Sequence, residues 1–151
     1  MKINWSGSWS IIEDLITHGF KTNTRHFQRS QAFTLINAFL RNKPLQESAP
    51  HDLKRDVIST LCDKIIAEFN QYIDGSSDTK PRFLCEMLNI THGLHLVGAS
   101  AYVTQWNKVI EVLEIMRNHI PKNRHFHDVK KSYNKACAPL KLKVIQGCEK
   151  R

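Results

Sequence analysis

The chain is short of the materials that several common functions need. Six glycines in 151 residues leave little for a phosphate-cradling loop, and no G-x-G-x-x-G fingerprint or G-x-S-x-G elbow occurs. That argues against the common nucleotide-binding and hydrolase designs. The four cysteines, Cys62, Cys85, Cys137 and Cys148, include no C-x-x-C pair, which reads as reduced intracellular thiols. No apolar run approaches the roughly 20 residues of a membrane-spanning helix. Residues 1–20 lack a basic head followed by an unbroken apolar stretch, so no secretory signal is expected. Strand-like alternation is nearly absent, and carboxylates are scarce at one end: beyond Met116 only Asp128 and Glu149 occur.

What is present suits one ordinary domain. Hydrophobic residues make up 41% and charged residues 24% of the chain, within the globular range. The net charge of +8 is one-sided. Residues 1–116 balance 12 Lys/Arg against 12 Asp/Glu, whereas residues 117–151 hold 10 Lys/Arg against 2 carboxylates. A basic end of this kind attracts polyanions such as nucleic acid or acidic protein segments, because neutralised phosphates release counterions. It is equally a solubilising terminus.

Helical periodicity dominates and predicts six helices. The first spans about 8–18, with Trp9, Ile12, Leu15 and Ile16 on one face and Gly19 as its stop. The second spans about 24–42, with the stripe Phe27, Phe33, Ile36, Phe39, Leu40 and Pro44 just beyond its end. The third, about 51–73, steps by four through Leu53, Val57, Leu61, Ile65 and Phe69, and Asp74-Gly75 closes it. A fourth starts near Lys80 with Pro81 in its first turn and carries Leu84, Met87, Leu88 and Leu94, followed by an ambiguous stretch at 92–101. The fifth, about 102–119, aligns Trp106, Val109, Ile110, Leu113 and Met116. The sixth, about 125–138, is basic, with Phe126, Val129, Tyr133 and Ala136/Cys137 inward.

Pairing one with two, three with four and five with six gives units of about 40 residues, close to the HEAT/armadillo period. Short connections make neighbours antiparallel. The expected fold is therefore all-α, built of HEAT/armadillo-like antiparallel helix pairs, with a compact six-helix bundle as the competing architecture. The expected organisation is a helical-repeat domain over 1–138 and a basic C-terminal tail over 139–151. In an open array Trp5, Trp9, Phe126 and Tyr133 would be half-exposed at the two ends.

The candidate chemistry is thin. His92 and His95 are three apart and would share a helical face, but Gly93 separates them and no H-E-x-x-H glutamate accompanies them. His125 and His127 point to different faces of a helix. No metal and no cofactor is expected. Cys62 and Cys85 fall beside apolar stripes, as free cysteines commonly do. Cys137 is the one thiol whose basic surroundings favour a lowered pKa. No enzyme is expected. Nucleic-acid contacts are expected at Arg117, Lys122, Arg124, Lys130, Lys131 and Lys135, where the sixth helix and its leading loop gather charge. The cluster of Asn, Gln and Arg that reads base edges is missing, so contact would be independent of sequence.

The stretch Phe33-Thr-Leu-Ile-Asn-Ala-Phe-Leu-Arg-Asn-Lys-Pro-Leu45, the long third helix with Ser59-Thr-Leu-Cys-Asp63, and Lys80-Pro-Arg-Phe-Leu-Cys-Glu-Met-Leu88 resemble the late helical repeats of the Myb-binding protein 1A family, relatives of the yeast protein once called DNA polymerase phi. The likeness covers about 30–140 and is one of layout. It implies a non-enzymatic helical scaffold of the nucleus and nucleolus, acting in transcription regulation or ribosomal RNA synthesis. Its protein partners would be transcription factors or ribosome-biogenesis proteins. It also implies that the chain is a piece near the carboxyl end of a longer protein. The alternative function is a free-standing helical nucleic-acid-binding protein without sequence specificity.

Overall fold

The computed structural model describes residues 5–20, 26–75 and 80–146, with side chains from residue 10 in the first helix and residue 28 in the second. Seven α-helices occur among the described residues: α1 (Trp5–Phe20), α2 (His26–Arg41), α3 (Lys43–Ser48), α4 (His51–Asp74), α5 (Pro81–Leu96), α6 (Gln105–Met116) and α7 (Phe126–Cys137). There is no strand among these residues. Gly75 ends α4 at φ 80, and its N–H returns to the carbonyls of Gln71 and Tyr72. Pro81 opens α5 as its position requires.

Three local readings are corrected by the structure. Pro44 does not merely follow the second helix. It lies in the first turn of α3, where Asn42 caps by accepting the Leu45 N–H at 3.1 Å. The ambiguous stretch at 92–101 divides: α5 runs on to Leu96, then Gly98 at φ 80 leads into a 3-10 turn over Ala99–Ala101. The fifth helix is shorter than expected, with a 3-10 turn at Arg117–His119 in place of its last residues.

The long helices reverse direction one after another and stack in two layers, α1, α4 and α6 in one and α2, α5 and α7 in the other. Within the second layer, neighbours run parallel. Arg82 Nη2 donates to Ser30 Oγ at 2.9 Å, Asn37 Nδ2 to the Glu86 carbonyl at 3.4 Å, and Arg41 Nη2 to the Asn89 carbonyl at 2.8 Å. These partners are 48 to 52 residues apart. In the first layer Gln105 reaches Ser59 over a separation of 46 residues. Facing positions therefore recur at intervals close to the HEAT/armadillo period, and the antiparallel helix pairs form an array rather than a ring.

One expectation about packing changes. The α1–α2 pair packs backbone to backbone as expected, but beyond it the close approaches lie along the layers, α2 to α5, α5 to α7 and α4 to α6, and not inside the pairs α4–α5 and α6–α7. Side-chain size explains it. Phe69, Phe83, Leu61, Ile65 and Tyr133, all buried, fill the space between the layers and hold them apart. Along the second layer small groups let backbones meet: a Cβ on Gly93 would lie 3.0 Å from Leu40 Cδ1.

The core follows the helical stripes. Ile12, Ile16, Phe33, Ile36, Leu40, Val57, Leu61, Ile65, Phe69, Leu84, Met87, Leu88, Leu94, Trp106, Val109, Leu113, Met116 and Val129 are all buried. The expected end residues divide. Phe126 is half-buried, but Tyr133 is sealed at 0% exposure with its hydroxyl donating to the Leu113 carbonyl at 2.6 Å. A phenol with that built-in acceptor gains more from burial than from an edge position. Trp5, Trp9 and Phe27 lie outside the described side chains.

Phe69 is fully buried at the end of the longest stripe. Replacing it by Ala is expected to lower stability by roughly 3–5 kcal/mol through the cavity it leaves. Urea unfolding of the variant checks this; an unchanged midpoint means the stripe faces elsewhere.

Candidate interaction surfaces at the basic end

Helix α7 sorts its charges by register. With Val129, Tyr133, Ala136 and Cys137 turned inward, Lys131 and Lys135 fall together on the open side. They share a groove of about 480 Å³ with Ser30, Arg82, Glu86, Asn89 and Asp128, across the outer side of the second layer. Lys130 sits one step round the helix and is buried, its ammonium 5.8 Å from the Phe126 ring centroid. It does not share the open side with Lys131 and Lys135. Arg124, exposed before α7, donates from Nε to His125 Nε2 at 3.2 Å.

Arg117 and Lys122 belong to a different surface. They line a groove of about 390 Å³ with Asn118, Ile120, Phe126 and residues 143–146. Of the six candidate contacts, Lys131 and Lys135 line one groove and Arg117 and Lys122 the other, while Arg124 and Lys130 line neither. The first groove mixes Arg82, Lys131 and Lys135 with Glu86 and Asp128. The second presents Arg117, Lys122 and Lys143, with no carboxylate in its walls among the described residues.

Residues 139–146, expected as the start of a tail, lie along α7. The chain turns back at Lys141, whose φ is 61, and the Leu142 N–H bonds the Cys137 carbonyl at 3.2 Å. Asn134 then holds the returning backbone at two points. Its Nδ2 donates to the Ile145 carbonyl at 3.1 Å, and its Oδ1 accepts the Ile145 N–H at 2.8 Å. Leu140, Leu142 and Ile145 pack against the core. Sequence reasoning missed Asn134, Arg82 and Asn89 as site residues. An asparagine between Tyr133 and Lys135 carries no periodic signal, and its role depends on where a segment 11 residues later comes to rest.

The thiols correct one expectation. Cys137 is not activated: burial pushes it up to about 11, outweighing the opposing pulls of its hydrogen bond with Tyr133 and of Arg117. Burial, with Asp63 nearby, likewise pushes Cys62 up to about 12. Cys85 is half-buried and also raised, chiefly by burial. His92 is engaged in a structural contact: its Nδ1 accepts from Arg41 Nη2 at 3.3 Å. Burial first, then Arg41, Lys135 and His95, hold its pKa below 6.5. Among the described residues no three His, Cys, Asp or Glu side chains converge as a metal site would need, and no helix is long and apolar enough to cross a membrane.

Because the folded His92 resists protonation, the unfolded chain takes up that proton more readily. Its contribution to stability is present above pH 6.5 and is lost as pH falls through that value toward the lower folded one. His92→Gln is expected to flatten this acid-side loss, seen as a smaller drop in urea midpoint on acidification. Thiol labelling near neutral pH is expected to reach Cys85 before Cys62 or Cys137, because the latter two are buried as well as raised.

Comparison with curated proteins and with solved structures gives no match. Comparison with protein families does: the model described as Myb-binding protein 1A-like, TPR repeats, matches residues 1–143. That span includes all seven helices and both grooves' helical walls. The chain belongs to the Myb-binding protein 1A-like TPR-repeat family.

Proposed function

We propose that this domain is a non-enzymatic scaffold of the nucleus and nucleolus, working in transcription regulation or ribosomal RNA synthesis through protein partners, with its basic end in contact with nucleic acid. Family membership supports the scaffold: a helical-repeat array offers long side-chain surfaces for protein partners. The family's name supports a nuclear setting and a Myb-type partner. The raised Cys62 and Cys137 and the engaged His92 leave those groups poorly suited to nucleophilic or general-base work.

The observation that supports the nucleic-acid arm is the placement of Lys131 and Lys135 with Arg82 on one open side of the second layer, and of exposed Arg124 in the loop before α7. The Glu86 and Asp128 carboxylates among them limit how closely a phosphate chain can lie. Contact would therefore be weak, electrostatic and blind to base sequence.

If about four to six phosphates are neutralised, the log–log salt slope is expected at about −4 to −5, with unrelated duplexes binding alike. Changing Arg124, Lys131 and Lys135 together to Ala should shrink the slope by up to about three. Lys130→Ala should leave it nearly unchanged and lower stability instead, since that side chain covers Phe126. A slope near zero, or binding undiminished in the triple variant, contradicts the nucleic-acid arm.

A further inference from the structure

The non-helical segment 141–146 lies on α7 in the manner of a bound peptide. Asn37 on α2 donates to the Glu86 carbonyl of α5, the next helix of its layer. Asn134 on α7 does the same for the Ile145 carbonyl, and also takes the Ile145 N–H. An amide side chain that donates to and accepts from one residue's backbone is a clamp for extended chain of any sequence, because both bonds go to main-chain atoms. Leu142 and Ile145 supply the apolar anchoring. The segment is therefore held to α7 through its backbone, as Asn37 holds one carbonyl of α5 to α2.

Its charge does not suit that place. Lys143 lines a groove whose walls already carry Arg117 and Lys122. Among the described residues no carboxylate lines that groove, and neither wall residue has an ion-pair partner. The segment stays because it is tethered, so even a weak interaction suffices at high effective concentration. About 390 Å³ of the groove remains open beside it.

We infer that this edge of α7 is a docking slot for an extended partner segment that alternates aliphatic and acidic residues, occupied in cis by 141–146 until such a segment displaces it. An acidic side chain at the position of Lys143 would turn repulsion by Arg117 and Lys122 into attraction, while aliphatic side chains replace Leu142 and Ile145 and Asn134 clamps the backbone. An acidic peptide fits better than a nucleic acid, because the clamp and the Leu142 and Ile145 positions have no use for a sugar–phosphate chain. The inference rests on the scaffold reading only in requiring a protein partner; it is independent of Lys131 and Lys135.

The test uses the whole chain and two labelled heptapeptides, Leu-Lys-Leu-Lys-Val-Ile-Gln, which copies 140–146, and Leu-Glu-Leu-Glu-Val-Ile-Gln. Fluorescence anisotropy should show the Glu peptide binding about tenfold tighter at low salt. Amide exchange should show Ile145 protected in the free chain and exposed once the Glu peptide binds. Arg117→Gln with Lys122→Gln should abolish the preference between peptides without changing helical content or the Ile145 protection. Releasing the segment by Leu142→Lys with Ile145→Lys should tighten binding of the Glu peptide, and adding Asn134→Asp should undo that gain. Equal binding of the two peptides, or Glu-peptide binding that leaves Ile145 protected, overturns the inference, as does an unrelated duplex that exposes Ile145 as effectively. In either of the first two cases partners that engage other helical surfaces leave the scaffold reading standing.

Discussion

The two layers are joined by a buried ion pair. Arg29, 7% exposed on α2, donates from Nη2 to Glu68 Oε1 of α4 at 3.2 Å and from Nε to the Gly19 carbonyl at the end of α1 at 2.6 Å. Its guanidinium carbon lies 4.9 Å from the Phe83 ring centroid of α5 and 5.5 Å from that of Phe33. One planar cation thus touches four helices. Burying such a pair brings little net stability over an apolar pair of the same size, but its donors accept few geometries. That selectivity fixes how α1 and α2 sit on α4 and α5.

The chain's sequence discloses its elements better than their arrangement. The stripe from Val57 to Phe69 located both the helix and its buried face, and Gly75 and Pro81 marked boundaries that the structure keeps. The likeness read from residues 33–45, 59–63 and 80–88 agrees with the family match over 1–143. Arg29 and Glu68 gave no signal, because a charged residue in an amphipathic stripe reads as solvated until its partner 39 residues away is placed beside it. α3 was hidden because Pro44 signals an end as readily as a beginning. The close approach of α2 and α5 was hidden because Gly93 within a helix reads as weakness and not as clearance for Leu40.

The site was legible as composition and not as geometry. The split of charge at Arg117 pointed to the basic end, yet one step of register separates Lys130 under Phe126 from Lys131 in the open groove. Arg117 and Lys122 part company with them because the chain turns back at Lys141 and builds a second groove from its own backbone. The spacing of facing residues, 46 to 52 along both layers, also exceeds the roughly 34 residues of a standard tetratricopeptide unit. Longer helices and the inserted α3 account for the difference, and they give this chain's repeats a proportion closer to HEAT units.

A double-mutant cycle on Arg29 and Glu68 tests most directly whether this pair sets the stacking. With Arg29→Met and Glu68→Leu, each single change should cost about 3–5 kcal/mol in urea unfolding, because it strands the other charge in the core. The double change should recover most of that loss, leaving a coupling of more than about 1 kcal/mol. Single changes that cost under about 1 kcal/mol, or costs that simply add, would contradict the account: the two side chains would then not meet inside the folded chain.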